Sequence, residues 1–376
     1  MVWPTTTCAL PDSLPRSVLS LERLRNSAAS AVEVLSTAQR WAFQHAAASA
    51  RDGTLTFIAL GGSVVAGATA CRDKSVLSGP ECAYPTRFAD WLRKCSAAPD
   101  TLFFDNRAIS GTSIAGVLPQ LPNLLRLFGS SRTHGQRDAD LLLLDFSAND
   151  FHAPRTGLDG GDILNVTDVN ATAAAVAEDI ASATEVVLRF VLSRHPGTAV
   201  LLMDGSCCVA LRYGSITGRC HSPMKELYAA AKRARVKVAR AYGVGYVAYH
   251  DLLAGECTNR QYRAIYAHPD STTHQRISEA LSMWWAHLAG VVVAPRAVVN
   301  AAMSSATPGQ PQLPPPVTSR FNEFDIVCQD PLTVYDPRAP AATESLGAPG
   351  IKVVKLPTIR AMRTTIVGGE SDGWKL

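Results

Sequence analysis

Residues 56–67 read TFIALGGSVVAG, and the interpretation of the fold starts from this stretch. Residues 57–60 are all apolar, which is typical of a strand that is buried on both faces. The run stops at the Gly-Gly-Ser sequence of residues 61–63 and continues in small residues. This pattern predicts a strand that turns sharply into a helix. Ser63 is then either the residue that caps the helix or a nucleophile at the end of the strand.

The alternation of apolar strands and amphipathic helices continues along most of the chain. Strands are predicted at 54–60, 101–109, 140–146, 198–204 and 244–250. Helices are predicted at 84–95, 113–128, 171–194, 224–242 and 273–293. Strands that alternate with helices of this length form right-handed crossovers and a parallel sheet. The sequence therefore predicts an α/β fold with a five-stranded, flavodoxin-like sheet of order 2-1-3-4-5, within a domain at 54–293.

The flanking regions have a different texture. Residues 1–53 form an N-terminal extension, in which apolar residues three and four apart predict a long helix or a helical pair at 18–49 that packs onto the domain. The proline-rich stretch at 294–317 is expected to be a linker. Residues 318–376 form a polar C-terminal extension, and its final residues, DGWKL, are compatible with a truncated end.

Composition excludes several classes of function. The 376 residues are 47% hydrophobic and 18% charged, which is typical of a chain that buries a large core. The net charge of +4 gives no indication of a nucleic-acid partner, and the basic helix at 225–240 is interpreted as a solvated outer face. No run reaches 18 apolar residues, so no membrane span is expected. No Cys/His cluster has zinc spacing and no glycine-rich loop fits a phosphate, so we expect no metal or organic cofactor.

Four residues follow predicted strands at the sheet edge where open α/β sheets bind their ligands. They are Ser63, Gly111, Asn149 and His268. Acyl transfer needs a hydroxyl nucleophile, a base and donors aimed at the developing oxyanion. Ser63 is the predicted nucleophile and His268 the base, with the N–H groups of Ser63 and Gly111 and the amide of Asn149 as donors. Each residue alone also has an ordinary structural explanation, as a cap, turn or loop residue, and it is their combination that favours catalysis.

The blocks that carry these residues resemble those of a known family, the SGNH or GDSL hydrolases. The blocks GGSVVAG, NRAISGTS, DFSAND and AHPDSTTH place the four residues on the name-giving positions, over roughly residues 54–290. The stretch CAYPTRFADWL and the LPPP sequence are similar to those of a subgroup of large algal and protist proteins. The resemblance implies a three-layer α/β/α fold and hydrolysis of ester bonds, commonly on acylated carbohydrates or small acyl esters.

The chain departs from the family pattern at two positions. The family usually has an aspartate three residues before the histidine, where this chain has Ile265. Asp251 and Asp270 are the candidate substitutes, and a backbone carbonyl that accepts from Nδ1–H is the alternative. An aspartate at the start of a helix, as Asp270 is, also has an ordinary role there. The first block has Gly-Gly-Ser where Gly-Asp-Ser is usual, which we expect to spare the nucleophile.

The position of His268 distinguishes it from the nearby His274. A proline follows His268, which biases its backbone towards extended geometry and keeps it out of the next helix. His274 falls in the first turns of that helix, where we expect a structural role.

Cysteines and sequons favour an oxidising compartment. Cys71 and Cys82 flank a polar loop and are predicted to form a disulfide. Asn165 and Asn170 begin two glycosylation sequons in a stretch that is expected to be a loop. Against this, the N-terminus shows no basic start followed by an apolar core, as a signal peptide would have.

The sequence therefore predicts a serine esterase that acts on acyl esters, with O-acetyl groups on glycans as the expected example. Two alternatives remain. One is a carbohydrate-binding relative that keeps the fold and has lost activity with the acid. The other is an O-acyltransferase that passes the acyl group to a sugar hydroxyl.

Overall fold

One parallel sheet forms the centre of the protein. The computed structural model describes residues 19–71, 79–118, 121, 138–150, 168–207, 222–254, 262–265, 268–292 and 313–318. The strands of the sheet are β1 Thr56–Gly61, β2 Phe103–Asn106, β3 Leu141–Asp145, β4 Ala199–Asp204 and β5 Gly245–Ala248. Their order is β2-β1-β3-β4-β5, and every pairing is parallel. The predicted strand order and strand direction are confirmed.

Helices cover both faces of this sheet. They are α1 Leu21–Val34, α2 Thr37–Asp52, α3 Tyr84–Cys95, α4 Ile114–Val117, α5 Val169–Arg194, α6 Ser222–Tyr242, α7 Tyr249–Leu252 and α8 Ser271–Val292. A separate antiparallel pair is formed by β6 Ala264–Ile265 and β7 His268–Pro269. This small pair precedes α8 and was not predicted from the sequence.

The apolar strands divide their side chains between two cores. Phe57 and Ala59 of β1 belong to a core that also includes residues of α1, α2, α3 and α8. Ile58 and Leu60 point the other way, into a core shared with α4, α5 and α6. Because successive strand residues face opposite sides, a strand without polar residues requires cover on both sides. The predicted three-layer α/β/α arrangement is confirmed.

The N-terminal helices belong to one of these layers. The predicted helical pair is present as α1 and α2, and Leu24, Ala28 and Phe43 are buried in the first core. The side-chain oxygens of Ser20 and Ser36 cap the two helices by accepting backbone N–H groups at 3.2 Å. The described residues of the predicted extension are therefore part of the α/β domain and do not form a separate unit.

The basic helix α6 is not a uniformly solvated face. Arg235 is only 3% exposed and forms ion pairs with Asp150 at 2.8 Å and Asp204 at 2.7 Å. These carboxylates lie just beyond β3 and at the end of β4, where they are buried and need a cation. The prediction of a solvated face is wrong for Arg235.

The proline-rich stretch is docked where the structure describes it. Residues 313–318 lie against α5, where the N–H groups of Val317 and Thr318 donate to the buried carboxylate of Glu185 at 2.7 and 2.9 Å. Leu313 and Val317 also pack against the second core. Residues 313–317 of the predicted linker at 294–317 therefore pack against the α/β domain, because a buried carboxylate requires donors. Residues 294–312 and 319–376 lie outside the described residues.

Only one of the two sequon asparagines lies among the described residues. Asn165 lies outside the described residues, whereas Asn170 is exposed in the first turn of α5. The expected loop is therefore helical at Asn170. Among the described residues, no helix is both long enough and apolar enough to cross a membrane.

Candidate active site

Ser63 lies directly after β1 in a series of hydrogen-bonded turns. The preceding residue, Gly62, donates its N–H to the carbonyl of Asp145 at 3.1 Å, which ties the turn to the end of β3. Turns extend over residues 63–69, where the sequence predicted the start of a helix. Ser63 is 6% exposed, and none of the described residues accepts its backbone N–H. The residue therefore presents both a hydroxyl and a free donor at the carboxyl edge of the sheet.

His268 is within hydrogen-bonding distance of Ser63. Its Nε2 lies 2.8 Å from Ser63 Oγ. The short β6–β7 pair holds the His268 backbone extended, with Ile265 as its partner across the ladder. Burial lowers the pKa of His268 below 6.5, so the ring is neutral at physiological pH. With its proton on Nδ1, the neutral ring can accept the Ser63 proton at Nε2.

No carboxylate among the described residues reaches His268. Asp251 forms an ion pair with Lys232, and its Oδ1 lies 3.4 Å from His250 Nδ1. Burial opposes ionisation of Asp251, but hydrogen bonds from its two partners outweigh that effect and lower its pKa. The structure does not bring this candidate acid to the histidine.

Asp270 is likewise engaged elsewhere. Its carboxylate accepts the N–H of Thr273 at 2.9 Å, which caps α8, and lies 3.3 Å from Nε of Arg263. This is the ordinary helix-start role that the sequence left open for Asp270. The structure places it two residues from His268 in the chain without a contact between the two side chains.

Asn149 and the loop that carries Gly111 lie against the turn of Ser63. The Asn149 amide donates to the carbonyl of Thr112 at 3.0 Å, and an ideal Cβ on Gly62 would stand 2.2 Å from Asn149 Nδ2. Gly111 precedes Thr112 and has a φ of +78°, which favours glycine. No described residue accepts the N–H of Gly111 or the second amide hydrogen of Asn149. Three donors of the kind that stabilise an oxyanion therefore lie at one edge of the sheet.

A buried ionic network that the sequence did not predict lies behind these donors. Asp150 accepts the N–H of Ile114 at 2.9 Å and is paired with Arg235, which also holds Asp204. Burial raises the pKa of Asp150 to about 6, although the guanidinium of Arg235 opposes the shift. The network ties the loop that carries Gly111 to the residue after Asn149. The signals that could have found it are aspartates at the ends of two strands and an arginine on the helix that covers them.

Asp145, at the end of β3, is hydrogen-bonded to the turn of Ser63 and to neighbouring segments. Its buried carboxylate accepts from the Tyr84 hydroxyl at 2.7 Å, from Ser147 Oγ at 2.6 Å and from the N–H of Gly205 at 3.0 Å. Burial raises its pKa, and the hydrogen bonds from Ser147 and Tyr84 act in the opposite direction. Because its own carbonyl accepts from Gly62, Asp145 couples the nucleophile turn to three other segments.

A disulfide closes the chain after the nucleophile turn. Cys71 and Cys82 are bonded to each other. Cys95 and Cys207 are also disulfide-bonded cysteines. Cys71, Glu81 and Cys82 form the one group of potential metal ligands within 4.8 Å of one another among the described residues. Since the disulfide consumes both thiols, this group does not offer thiolate ligands.

The chain belongs to the GDSL-like lipase/acylhydrolase family. The sequence model of that family matches residues 59–276, which are more than half of the chain and include all four predicted site residues. The description of that family is one of lipases and acylhydrolases. None of the curated proteins compared matches the chain.

The chain is similar to several solved enzymes at low sequence identity. A two-domain esterase active on acetylated mannans is 17% identical with a TM-score of 0.44; the match covers 74% of this chain and 58% of that enzyme. An α/β-hydrolase enzyme from the metagenome of Lake Arreo, Spain, is 14% identical with a TM-score of 0.40, over 63% and 99% of the chains. A carbohydrate esterase family 2 enzyme of Corynascus thermopiles is 16% identical with a TM-score of 0.36, over 63% and 67%.

Proposed function

We propose that this protein is a serine esterase in which Ser63 is the nucleophile and His268 the general base. The observation that carries the proposal is the distance of 2.8 Å between Ser63 Oγ and His268 Nε2. A nucleophile and base within this distance are the minimum for acyl transfer by a hydroxyl. The lowered pKa of His268 supports the assignment, because burial favours the neutral ring, which is the form that accepts a proton.

The reaction proceeds in two halves. Ser63 Oγ attacks the ester carbonyl carbon while its proton passes to His268 Nε2. The negative oxygen of the tetrahedral intermediate accepts from the N–H groups of Ser63 and Gly111 and from the Asn149 amide. The imidazolium then gives its proton to the leaving alcohol, and an acyl-enzyme remains. Water gives a proton to His268 as it attacks the acyl carbonyl carbon. The imidazolium then returns that proton to Ser63 Oγ as the acid is released.

The substrate class we propose is short acyl esters, with O-acetyl groups on carbohydrates as the first to test. Family membership supports the ester bond, and the sugar is our extension of it. An oxidising, secretory or extracellular location is proposed with it, supported by the disulfide-bonded cysteines. Transfer of the acyl group to a sugar hydroxyl would use the same acyl-enzyme, and product analysis with a competing acceptor sugar distinguishes it from hydrolysis.

A second candidate function follows from the histidine. No described residue offers a carboxylate to His268, and loss of the acid in a serine protease triad costs about 10⁴ in kcat. A protein with this site and no turnover would be a carbohydrate-binding member of the family. The family aspartate would stand at Ile265, so Ile265→Asp is the variant that separates the two candidates.

The test is ester hydrolysis and fluorophosphonate labelling of four proteins. Wild type should hydrolyse 4-nitrophenyl acetate and be labelled, and Ser63→Ala should lose both. Ser282→Ala is the matched control, because this buried serine donates only to Ser278 within α8. If wild type and Ser63→Ala are equally inactive and unlabelled while Ile265→Asp gains both activities, the esterase proposal fails and the binding protein is favoured.

A further inference from the structure

Thr69 has an unusual backbone at the end of the nucleophile turn. It is the one non-glycine residue with positive φ among the residues that the structure describes, at 58°. A β-branched residue in this region is an outlier, because its side chain crowds the backbone. The residue is 6% exposed, so the conformation is held within the packed part of the protein. Such conformations persist where the surrounding structure holds them, frequently at functional sites.

The hydroxyl of Thr69 reaches the segment that carries His268. Thr69 Oγ1 lies 2.8 Å from the carbonyl oxygen of Pro269 and 2.7 Å from that of Ala68. Pro269 directly follows His268, and its carbonyl has no other donor among the described residues. A hydroxyl carries one proton, so the two carbonyls compete for it.

His274 gives the carbonyl of Ala68 a second donor. Its Nδ1 accepts the N–H of Tyr84 at 3.3 Å, which leaves the ring proton on Nε2, and Nε2 lies 3.4 Å from the carbonyl of Ala68. The ring is fully buried and stacks on Tyr84, and burial lowers its pKa to about 3, so it stays neutral. The carbonyl of Ala68 thus has a donor besides Thr69, whereas the carbonyl of Pro269 has only the Thr69 hydroxyl among the described residues.

We propose that Thr69 is a positioning residue for His268. Its hydroxyl fixes the peptide after the histidine to the turn that carries Ser63, so that Nε2 and Oγ are held together without help from a triad acid. The inference rests on the proposed function of Ser63 and His268. It accounts for two features together. One is the backbone conformation of Thr69, and the other is that none of the residues the structure describes offers a carboxylate to His268.

Three variants test the hydroxyl. Thr69→Val keeps the β-branch and hence the crowded backbone, but it cannot donate. Misplacement of a catalytic group by about 1 Å costs about 10²-fold, so we expect Thr69→Val to lower kcat by up to that factor with KM unchanged. Thr69→Ser keeps the donor and should retain the wild-type kcat. Thr198→Val is the control, since Thr198 Oγ1 donates to the carbonyl of Ala139 at 2.6 Å before β4, at the opposite edge of the sheet.

A second measurement does not depend on activity. The Nε2 resonance of His268 can be measured in protein with isotope-labelled histidine. In each background, Ser63→Ala should shift this resonance if Ser63 Oγ and His268 Nε2 are hydrogen-bonded. That difference should be present in wild type and Thr69→Ser and absent in Thr69→Val. If wild type lacks serine-dependent turnover, the proposed function fails while this comparison still tests the role of Thr69. The role of Thr69 is refuted if Thr69→Val keeps the resonance difference, or if Thr69→Ser loses it as well.

Discussion

Gly62 has little room for a side chain beside the candidate site. A Cβ at this position would stand 2.2 Å from Asn149 Nδ2 and 3.0 Å from the carbonyl of Thr112. Contacts below 3.0 Å require that something shifts, and the flexible partner here is the amide that we assign to the oxyanion. The Gly-Gly-Ser sequence is thus matched to the position of Asn149.

Gly62→Ala should therefore impair catalysis more than folding. Displacing one oxyanion donor lowers kcat by about 10²–10³. Gly197→Ala is the matched control, because the nearest atom to its new Cβ is a Trp41 ring carbon at 3.7 Å. Steady-state kinetics and thermal unfolding of both variants measure the two effects. Equal kcat in wild type and Gly62→Ala would refute the placement of the Asn149 amide at the oxyanion.

His274 should make stability depend on pH. Its pKa is about 3 in the folded protein, against about 6.5 for an unperturbed histidine, because burial disfavours the charged ring. Between these values the unfolded state binds the proton and the folded state does not. The free energy of unfolding therefore falls as the pH falls through this window, by about 1.4 kcal/mol per pH unit from this group.

Urea unfolding of wild type and His274→Gln at pH 7 and pH 5 isolates that contribution. The raised pKa of Asp145 and of Asp150 acts in the opposite direction, but both residues are present in each protein. We expect wild type to lose about 2 kcal/mol more than His274→Gln between the two pH values. Identical losses would show that the ring of His274 is not held neutral.

At the scale of elements, apolar patterns predicted the helices and strands whose positions depend on packing against a core. Helix α3 was predicted at 84–95 and is found at Tyr84–Cys95, because its apolar face fits a 3.6-residue period. The β6–β7 pair was missed, since two-residue strands contain no period to detect. The helix expected after Ser63 is a series of turns, and the positive φ values of Gly67 and Thr69 explain why no regular helix continues there.

Contacts between side chains of distant elements were predicted for the four site residues but not for Arg235. Ser63, Gly111, Asn149 and His268 could be placed because each follows a strand and the carboxyl ends of parallel strands share one edge. Arg235 was missed, because a cation among other cations on a helix was interpreted as facing solvent. Its burial depends on the carboxylates of Asp150 and Asp204, whose proximity arises only from the order of the strands.

At the scale of the whole molecule, residues 313–318 belong to the α/β domain. The Glu185 carboxylate is fully buried and accepts from the Tyr242 hydroxyl at 2.6 Å, from two backbone N–H groups of the docked segment, and from the Thr318 hydroxyl. Arg189 also donates to the carbonyl of Pro314 at 2.7 Å. The segment therefore supplies most of the donors that a buried charge requires.

Removing one of those donors should destabilise the domain without changing the candidate site. Thr318→Val keeps the shape of the side chain and deletes its hydroxyl, so Glu185 loses one partner in a buried position. A buried acceptor deprived of its donor costs about 1–3 kcal/mol, more when it is charged, and urea unfolding of the full chain should show a loss of that size. Thr318→Ser, which keeps the hydroxyl, should lose less. If Thr318→Val lowers the free energy of unfolding by the same amount in a Glu185→Gln background, the two residues are not coupled. If the unfolding curve of Thr318→Val equals that of wild type, the segment does not stabilise the domain through this carboxylate.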